Sequence, residues 1–207
     1  MPEIGVFPLA LVLLPTERVP LHIFEPRYKE LIGECISTGA PFGLLLEDDS
    51  GRRDVGTLAT VSEVVHVFDD GRMNIVVEGG ERFRIVTWTD GRRFPTAEVE
   101  AFADEEGALD AGASQLRAEQ ALELFRRLAA VADAEAADPD GVSGFLSFEI
   151  ASHIDFGHRP EQELLEIRSE SERLERLTEL LERALDVMTR ERQIRARAST
   201  NGRVSHG

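Results

Sequence analysis

One cysteine, one lysine, one tryptophan and one tyrosine stand in 207 residues, and each scarcity excludes something. With Cys35 alone the chain has no intrachain disulfide and no cysteine-built metal cluster. Cys35 falls on the apolar side of a predicted helix, which reads as a buried inert thiol. Lys29 is not set in a Gly-x-x-x-x-Gly-Lys-Ser/Thr loop, so hydrolysis of ATP by a P-loop is excluded. A Ser–Lys dyad would have to take the same lysine from the middle of an amphipathic helix. Gly-x-Ser-x-Gly, His-Glu-x-x-His and Gly-x-Gly-x-x-Gly strings are absent as well. No long hydrophobic run exists. The stretch Ile4–Leu14 is broken by Pro8 and preceded by Glu3, so it is a poor signal peptide and too short to span a bilayer. The expectation is a cytoplasmic protein.

Positive charge is also scarce, at 23 Lys and Arg against 39 Asp and Glu, for a net charge of −16. That field repels phosphate backbones and anionic membranes, so neither nucleic acid nor membrane is the expected partner. A hydrophobic content of 42% with 30% charged residues suits a soluble chain with a real core.

Residues 1–103 read as short strands and turns with one helix at about 25–38. Ile4–Leu9, Val12–Leu14 and Val19–Ile23 are β-rich and separated by prolines. In the helix, Tyr28, Leu31, Ile32, Cys35 and Ile36 recur at steps of three and four, and Gly39 follows as a stop. Phe42–Glu47, Leu58–Phe68, Arg72–Glu78, Glu81–Thr89 and Thr96–Phe102 follow as strands. Asp70-Gly71, Gly79-Gly80 and Asp90-Gly91 are the expected turns between them. A meander of this kind is most economically a small closed or nearly closed antiparallel barrel.

From 104 to 198 the period becomes helical, with a disordered tail expected at 199–207. One helix carries Leu109, Leu116, Ala121, Leu124, Phe125, Leu128, Val131 and Ala132. A short one over about Ser143–Ile154 should bury Phe145, Leu146, Phe148, Ile150 and Ala151. Pro160 suits the first residue of a long last helix, whose seam of Leu174, Leu177, Leu181, Ala184 and Met188 resembles a coiled coil and should pack within the chain as a monomer. The fold class expected is α+β.

Candidate chemistry is thin. His153, Asp155 and His158 lie close in sequence, but Asp155–Pro160 reads as an inter-helix turn, so no metal or cofactor is expected. The acidic runs at Glu47–Asp49, Asp104–Glu106 and Asp133–Asp140 read as solvated loop ends. The richest stretch is Pro20–Tyr28, where a strand meets a helix. There His22 and Glu25 could form an acid/base pair with Arg27 holding an anion, in a small hydrolase or transferase. Equally, Glu25-Pro26 opens the helix, Arg27 pairs with an acid and Tyr28 packs on the sheet, making a structural corner. No second half of an active site accompanies it, so the corner and a non-enzyme are the expectation.

Phe7-Pro8-Leu9, Pro15 and Leu21-His22-Ile23-Phe24-Glu25-Pro26-Arg27-Tyr28 resemble the opening of the N-terminal substrate-binding domain of Lon proteases. Gly56-Thr57, Gly71-Arg72-Met73-Asn74-Ile75, Gly79-Gly80-Glu81-Arg82-Phe83-Arg84, Gln162-Glu163-Leu164-Leu165-Glu166 and Arg173-Leu174 continue the resemblance, over about residues 4–190. It implies a PUA-like barrel followed by a helical bundle, in a stand-alone relative without the family's ATPase and protease domains. The function implied is binding of unfolded or apolar polypeptide, as an adaptor in protein quality control or proteolysis, with a protease or chaperone as partner. An apolar groove between barrel and helices is the expected surface, with Phe24, Tyr28, Trp88 and Phe94 as candidate contacts. RNA binding, implied only by the PUA-like analogy, would rest on Arg52-Arg53 and Arg92-Arg93.

Overall fold

The structure, a computed structural model, describes residues 2–105, 111–134, 139 and 145–201. Seven strands come first: β1 Glu3–Leu9, β2 Arg18–Ile23, β3 Phe42–Asp48, β4 Gly51–Arg52, β5 Val55–Val67, β6 Met73–Thr89 and β7 Thr96–Ala101. Helix α1 (Pro26–Thr38) interrupts them, and α2 (Ala111–Ala132), α3 (Leu146–Ala151), α4 (His158–Glu166) and α5 (Glu170–Asn201) follow.

The sheet runs β1-β7-β6-β5-β3-β4, and an added β1–β3 pairing closes it into a ring. All pairings are antiparallel except β1 with β3, where Val6 to Leu9 run alongside Gly43 to Leu46. β2 is attached separately, to the first half of β6 from Arg18↔Glu78 to Ile23↔Met73. Helix α1 lies on the apolar face this creates: Tyr28, Leu31, Ile32 and Cys35 pack with Phe7, Phe42, Met73 and Ile75. Its end is set by Gly39, whose φ of 71° is the left-handed conformation that stops a helix cheaply.

Several expectations change. Gly79-Gly80 is not a turn, because β6 continues unbroken through it. A Cβ at Gly79 would collide with the carbonyl oxygen of Leu14. The glycine is there for close backbone approach, with Thr16 N–H donating to the Gly79 carbonyl at 2.8 Å and Gly79 N–H to Glu17 at 2.9 Å. Val12–Leu14 is buried but is not a strand. The long last helix is divided, since α4 ends at Glu166 and α5 begins at Glu170. Pro160 is the third residue of α4 and not its first, since the helix opens at His158 after Gly157 as N-cap. Leu116 is 66% exposed, Ile36 42% and Phe145 36%, and Ala132 is exposed as well, so none of the four is core. α5 runs to Asn201, and Leu109, Ser143 and residues 202–207 lie outside the described residues.

Leu174, Leu177, Leu180, Leu181 and Leu185 of α5 pack on Ala121, Leu124, Phe125 and Leu128 of α2, so the heptad-like seam is used within the chain. The same cluster includes Val12, Leu14, Leu46, Val55 and Phe102, which joins the helices to the sheet.

Candidate functional site

The Pro20–Tyr28 corner is built by β2 running into α1. Outward-facing His22 stands opposite Asn74 of β6 and shares a hydrogen bond with it, Nδ1 to Oδ1, at 2.6 Å. Glu25 is the N-cap residue of α1, and its carboxylate accepts from Arg27 Nε at 3.0 Å. The Arg27 guanidinium also lies 4.5 Å from the centroid of the Tyr28 ring. That ring stacks on Phe7 at 3.9 Å between centroids, and burial pushes its phenol up, with Arg27 opposing. His22, Glu25 and Arg27 all line one shallow groove of about 260 Å³. The structure brings the three together, but each polar group is engaged: histidine with Asn74, carboxylate with arginine.

The aromatic candidates separate. Tyr28 is 3% exposed and Phe94 5%, so both are core. Phe24 is 59% exposed and Trp88 38%. They belong to opposite ends of β6, since Ile23 pairs with Met73 while Trp88 pairs with Ala97. Arg52 lies over the Trp88 ring at 4.5 Å. They do not form one surface.

The arginine pairs are likewise committed. Arg52 pairs with Glu47, Arg53 with Asp48, Arg92 with Glu34 and Arg93 with Glu30. His153 and Asp155 are used locally: the His153 ring lies 5.6 Å from Phe125, and Asp155 accepts from Gly157 N–H at 3.0 Å. Among the described residues no group of three His, Cys, Asp or Glu could hold a metal ion, and no helix is long and apolar enough to cross a membrane. Burial and then the Glu34 charge push the Cys35 thiol up to about 11, which keeps it protonated and unreactive.

Where the sheet meets Phe145, the N-cap residue of α3, a groove of about 520 Å³ is lined by Pro15, Gly79, Ala101, Phe102, Ala103 and Phe145 together with Thr16, Gly80 and the charged Glu81, Arg82 and Asp104. Thr16 on its edge has φ 70°, a left-handed conformation uncommon for a β-branched residue. The floor is an ion network that the sequence reading missed. Arg82 of β6, 5% exposed, donates to the Leu165 and Ile167 carbonyls at 2.8 Å each and binds Asp104. Arg173 of α5, fully buried, makes a bidentate pair with Asp104 at 2.8 and 2.7 Å. It also donates to Glu170 at 2.6 Å, Ile167 at 2.8 Å and Ser147 at 2.9 Å. Glu170 in turn accepts from Ser147 N–H and Oγ–H.

Asp104 is therefore not a solvated loop end. Burial raises its carboxyl, but hydrogen bonds and charge from Arg173 and Arg82 outweigh this and hold it below its ordinary value. The available signal was an arginine inside the Arg82-Phe83-Arg84 strand and another beside the apolar seam at Leu174. Pattern alone did not say that they met the same carboxylate.

Residues 3–183 match the family of the ATP-dependent protease La (LON) substrate-binding domain. A Lon protease of Paraburkholderia phytofirmans is 27% identical over 206 residues, covering 93% of this chain and 25% of that protein. A Lon protease of Azorhizobium caulinodans is 28% identical over 208 residues, covering 93% and 24%. The chain thus spans about a quarter of the length of these curated relatives. The Lon N-terminal domain protein from Xanthomonas campestris superposes with a TM-score of 0.63 at 25% identity, over 86% of this chain and 97% of that one. The N-terminal domain of Mycobacterium avium complex Lon protease gives 0.68 at 16% identity, over 87% and 98%, a likeness of fold.

Proposed function

The chain belongs to the Lon substrate-binding domain family, and from that premise we propose that it is a non-enzymatic polypeptide-binding module whose contact surface is the groove between sheet and helices. The observation that carries this is the groove itself. It is concave, its lining is mostly Pro, Gly, Ala and Phe beside Thr16, Glu81, Arg82 and Asp104, and the Arg82–Asp104–Arg173 network anchors its floor. An apolar cleft with a fixed floor suits side chains that a folded partner would hide and an unfolded one exposes. The strained Thr16 at its edge agrees, since such conformations persist where the surroundings hold them. In this reading the module presents unfolded segments to a protease or chaperone and works as an adaptor.

A hydrolytic site at the corner has less support. His22 shares its hydrogen bond with Asn74 and Glu25 is paired with Arg27, so neither is free to act on the other. RNA binding has less still, because both candidate arginine pairs are met by carboxylates.

Fluorescence anisotropy with a labelled, carboxymethylated, permanently unfolded protein tests the proposal. The Ala101→Glu/Phe145→Glu double variant should weaken binding at least about tenfold, the equivalent of about 1.4 kcal/mol, while His22→Ala leaves it unchanged. No binding by the unaltered chain, or undiminished binding by a folded double variant, overturns it.

A further inference from the structure

Strand β5 changes neighbours partway along. Its first part lies between β3 and β6, with Thr57, Leu58 and Ala59 opposite Leu44, Gly43 and Phe42. Beyond Ala59 only β6 accompanies it, as far as Val67↔Met73. Among the described residues, no strand pairs with the other edge of residues 60–67. An unpaired edge is a row of backbone donors and acceptors that fits another strand.

This edge is poorly guarded. Thr60-Val61-Ser62-Glu63-Val64-Val65-His66-Val67 contains no lysine and no proline, and Glu63 is its one carboxylate. Its only irregularities are two bulges, at Ser62 and Val65, which have no match on β6. Bulges limit an added strand to short paired runs without closing the edge.

The side chains point the same way. Val64, Val65 and Val67 are 41%, 56% and 58% exposed, and Ile36 on α1 is 42% exposed. Beside the edge a groove of about 170 Å³ is walled by Cys35, Ile36, Gly39 and Ala40 on one side and by Val61 and Val64 with the polar Thr60, Ser62 and Glu63 on the other. Lys29 of α1 donates to the Asp70 carbonyl at 2.9 Å, which ties the β5–β6 hairpin to the helix and holds the edge in place. A strand laid here would turn every second side chain into the groove, against Ile36 and Val61, and the others toward solvent.

We propose that the β5 edge at residues 60–67 binds an extended polypeptide segment with alternating apolar side chains by adding it to the sheet as a short strand. The proposal rests on the polypeptide-binding reading but not on the sheet–helix groove. Its recognition is by backbone hydrogen bonds, which an extended segment with unpaired N–H and C=O groups offers.

The probe is a lysine-flanked peptide of alternating valine and threonine, beside the same peptide N-methylated at every residue, which keeps the side chains and removes the donors. The expected result is binding of the first, loss of at least tenfold with the second, and slowed amide exchange confined to residues 60–67. The exposed substitution Val65→Lys should weaken binding comparably, with its fold checked by circular dichroism. Equal binding of both peptides, or protection at the sheet–helix groove instead, overturns strand addition and leaves the polypeptide-binding reading standing. Failure of both the peptide and the carboxymethylated protein to bind removes both. A dimer in sedimentation that Val65→Lys dissociates would assign the edge to a second copy and overturn the proposal.

Discussion

Arg173 has no exposed surface, yet its guanidinium contacts Asp104, Glu170, Ser147 and the Ile167 carbonyl. It also lies 4.3 Å from the Phe148 centroid. Removing one partner of a buried pair leaves the others desolvated and unmatched, which costs about 3–5 kcal/mol. Arg173→Ala should therefore lower stability by that order in urea unfolding. Arg84→Ala, whose pair with Glu100 at 3.7 Å is half exposed, should cost less than about 1 kcal/mol. Similar losses from the two variants would show that the network is not a structural lock. Smaller residues carry comparable specificity. Thr57 Oγ donates to the Leu13 carbonyl at 2.5 Å, and Gln162 reaches the Val55 carbonyl at 3.1 Å, fixing α4 to β5. Both lie within motifs that resembled the family in sequence, and here their work is architectural.

Among the elements, β6 governs the fold, pairing with β2, β5 and β7 in turn. At its middle, Gly79 lets the Leu14–Glu17 backbone come close enough to bond. Gly79→Ala would drive a methyl into a backbone oxygen that cannot swing away, and should destabilise by about 2 kcal/mol or more. Gly33→Ala in α1 meets nothing within 4 Å and should stabilise by about 0.5–1 kcal/mol, the usual helix preference for alanine. Chemical denaturation of the two variants checks both signs. The α4–α5 break has a similar tertiary origin. The Leu165 and Ile167 carbonyls left over at the end of α4 are satisfied by Arg82 and Arg173, not by a further helical turn. Leucine spacing alone gives no sign of that, so the sequence reads as one continuous helix.

Across the whole molecule, two pairs of carboxyls act with opposite pH dependence. Asp104 is held below its ordinary value, and so is Glu163 by its hydrogen bond and charge pairing with Arg176. Their contribution is present above the unfolded carboxyl range of about pH 4 and lost as pH falls through the folded values. Glu17 and Glu161 are half-buried, and burial pushes both up, with a further rise for Glu17 from the charge of Glu161. These two oppose folding at neutral pH and cease to do so as they take up protons on acidification. Urea midpoints across pH 3 to 7 should pass through a maximum at mildly acid pH. Glu17→Gln/Glu161→Gln should raise the neutral-pH midpoint and leave the acid limb in place. An unchanged neutral-pH midpoint would mean that these carboxyls carry no burial cost.

The sequence by itself determined the change from strand to helix periods, the apolar face of α1 apart from the exposed Ile36, the Asp70-Gly71 hairpin and the existence of the leucine seam, whose use within the chain was decided by the tertiary packing. Each of these depends on local spacing or on the backbone preference of one or two residues, and such signals survive without knowledge of neighbours. The family resemblance was legible for the same reason, in short motifs with fixed order. Only the tertiary structure decided that Gly79 is a close approach, that Arg82 and Arg173 converge on Asp104, that Tyr28 and Phe94 are core, and that no strand among the described residues pairs with the outer edge of residues 60–67. These facts concern groups far apart in the chain, and whether an arginine is solvated or locked depends on what the fold brings beside it.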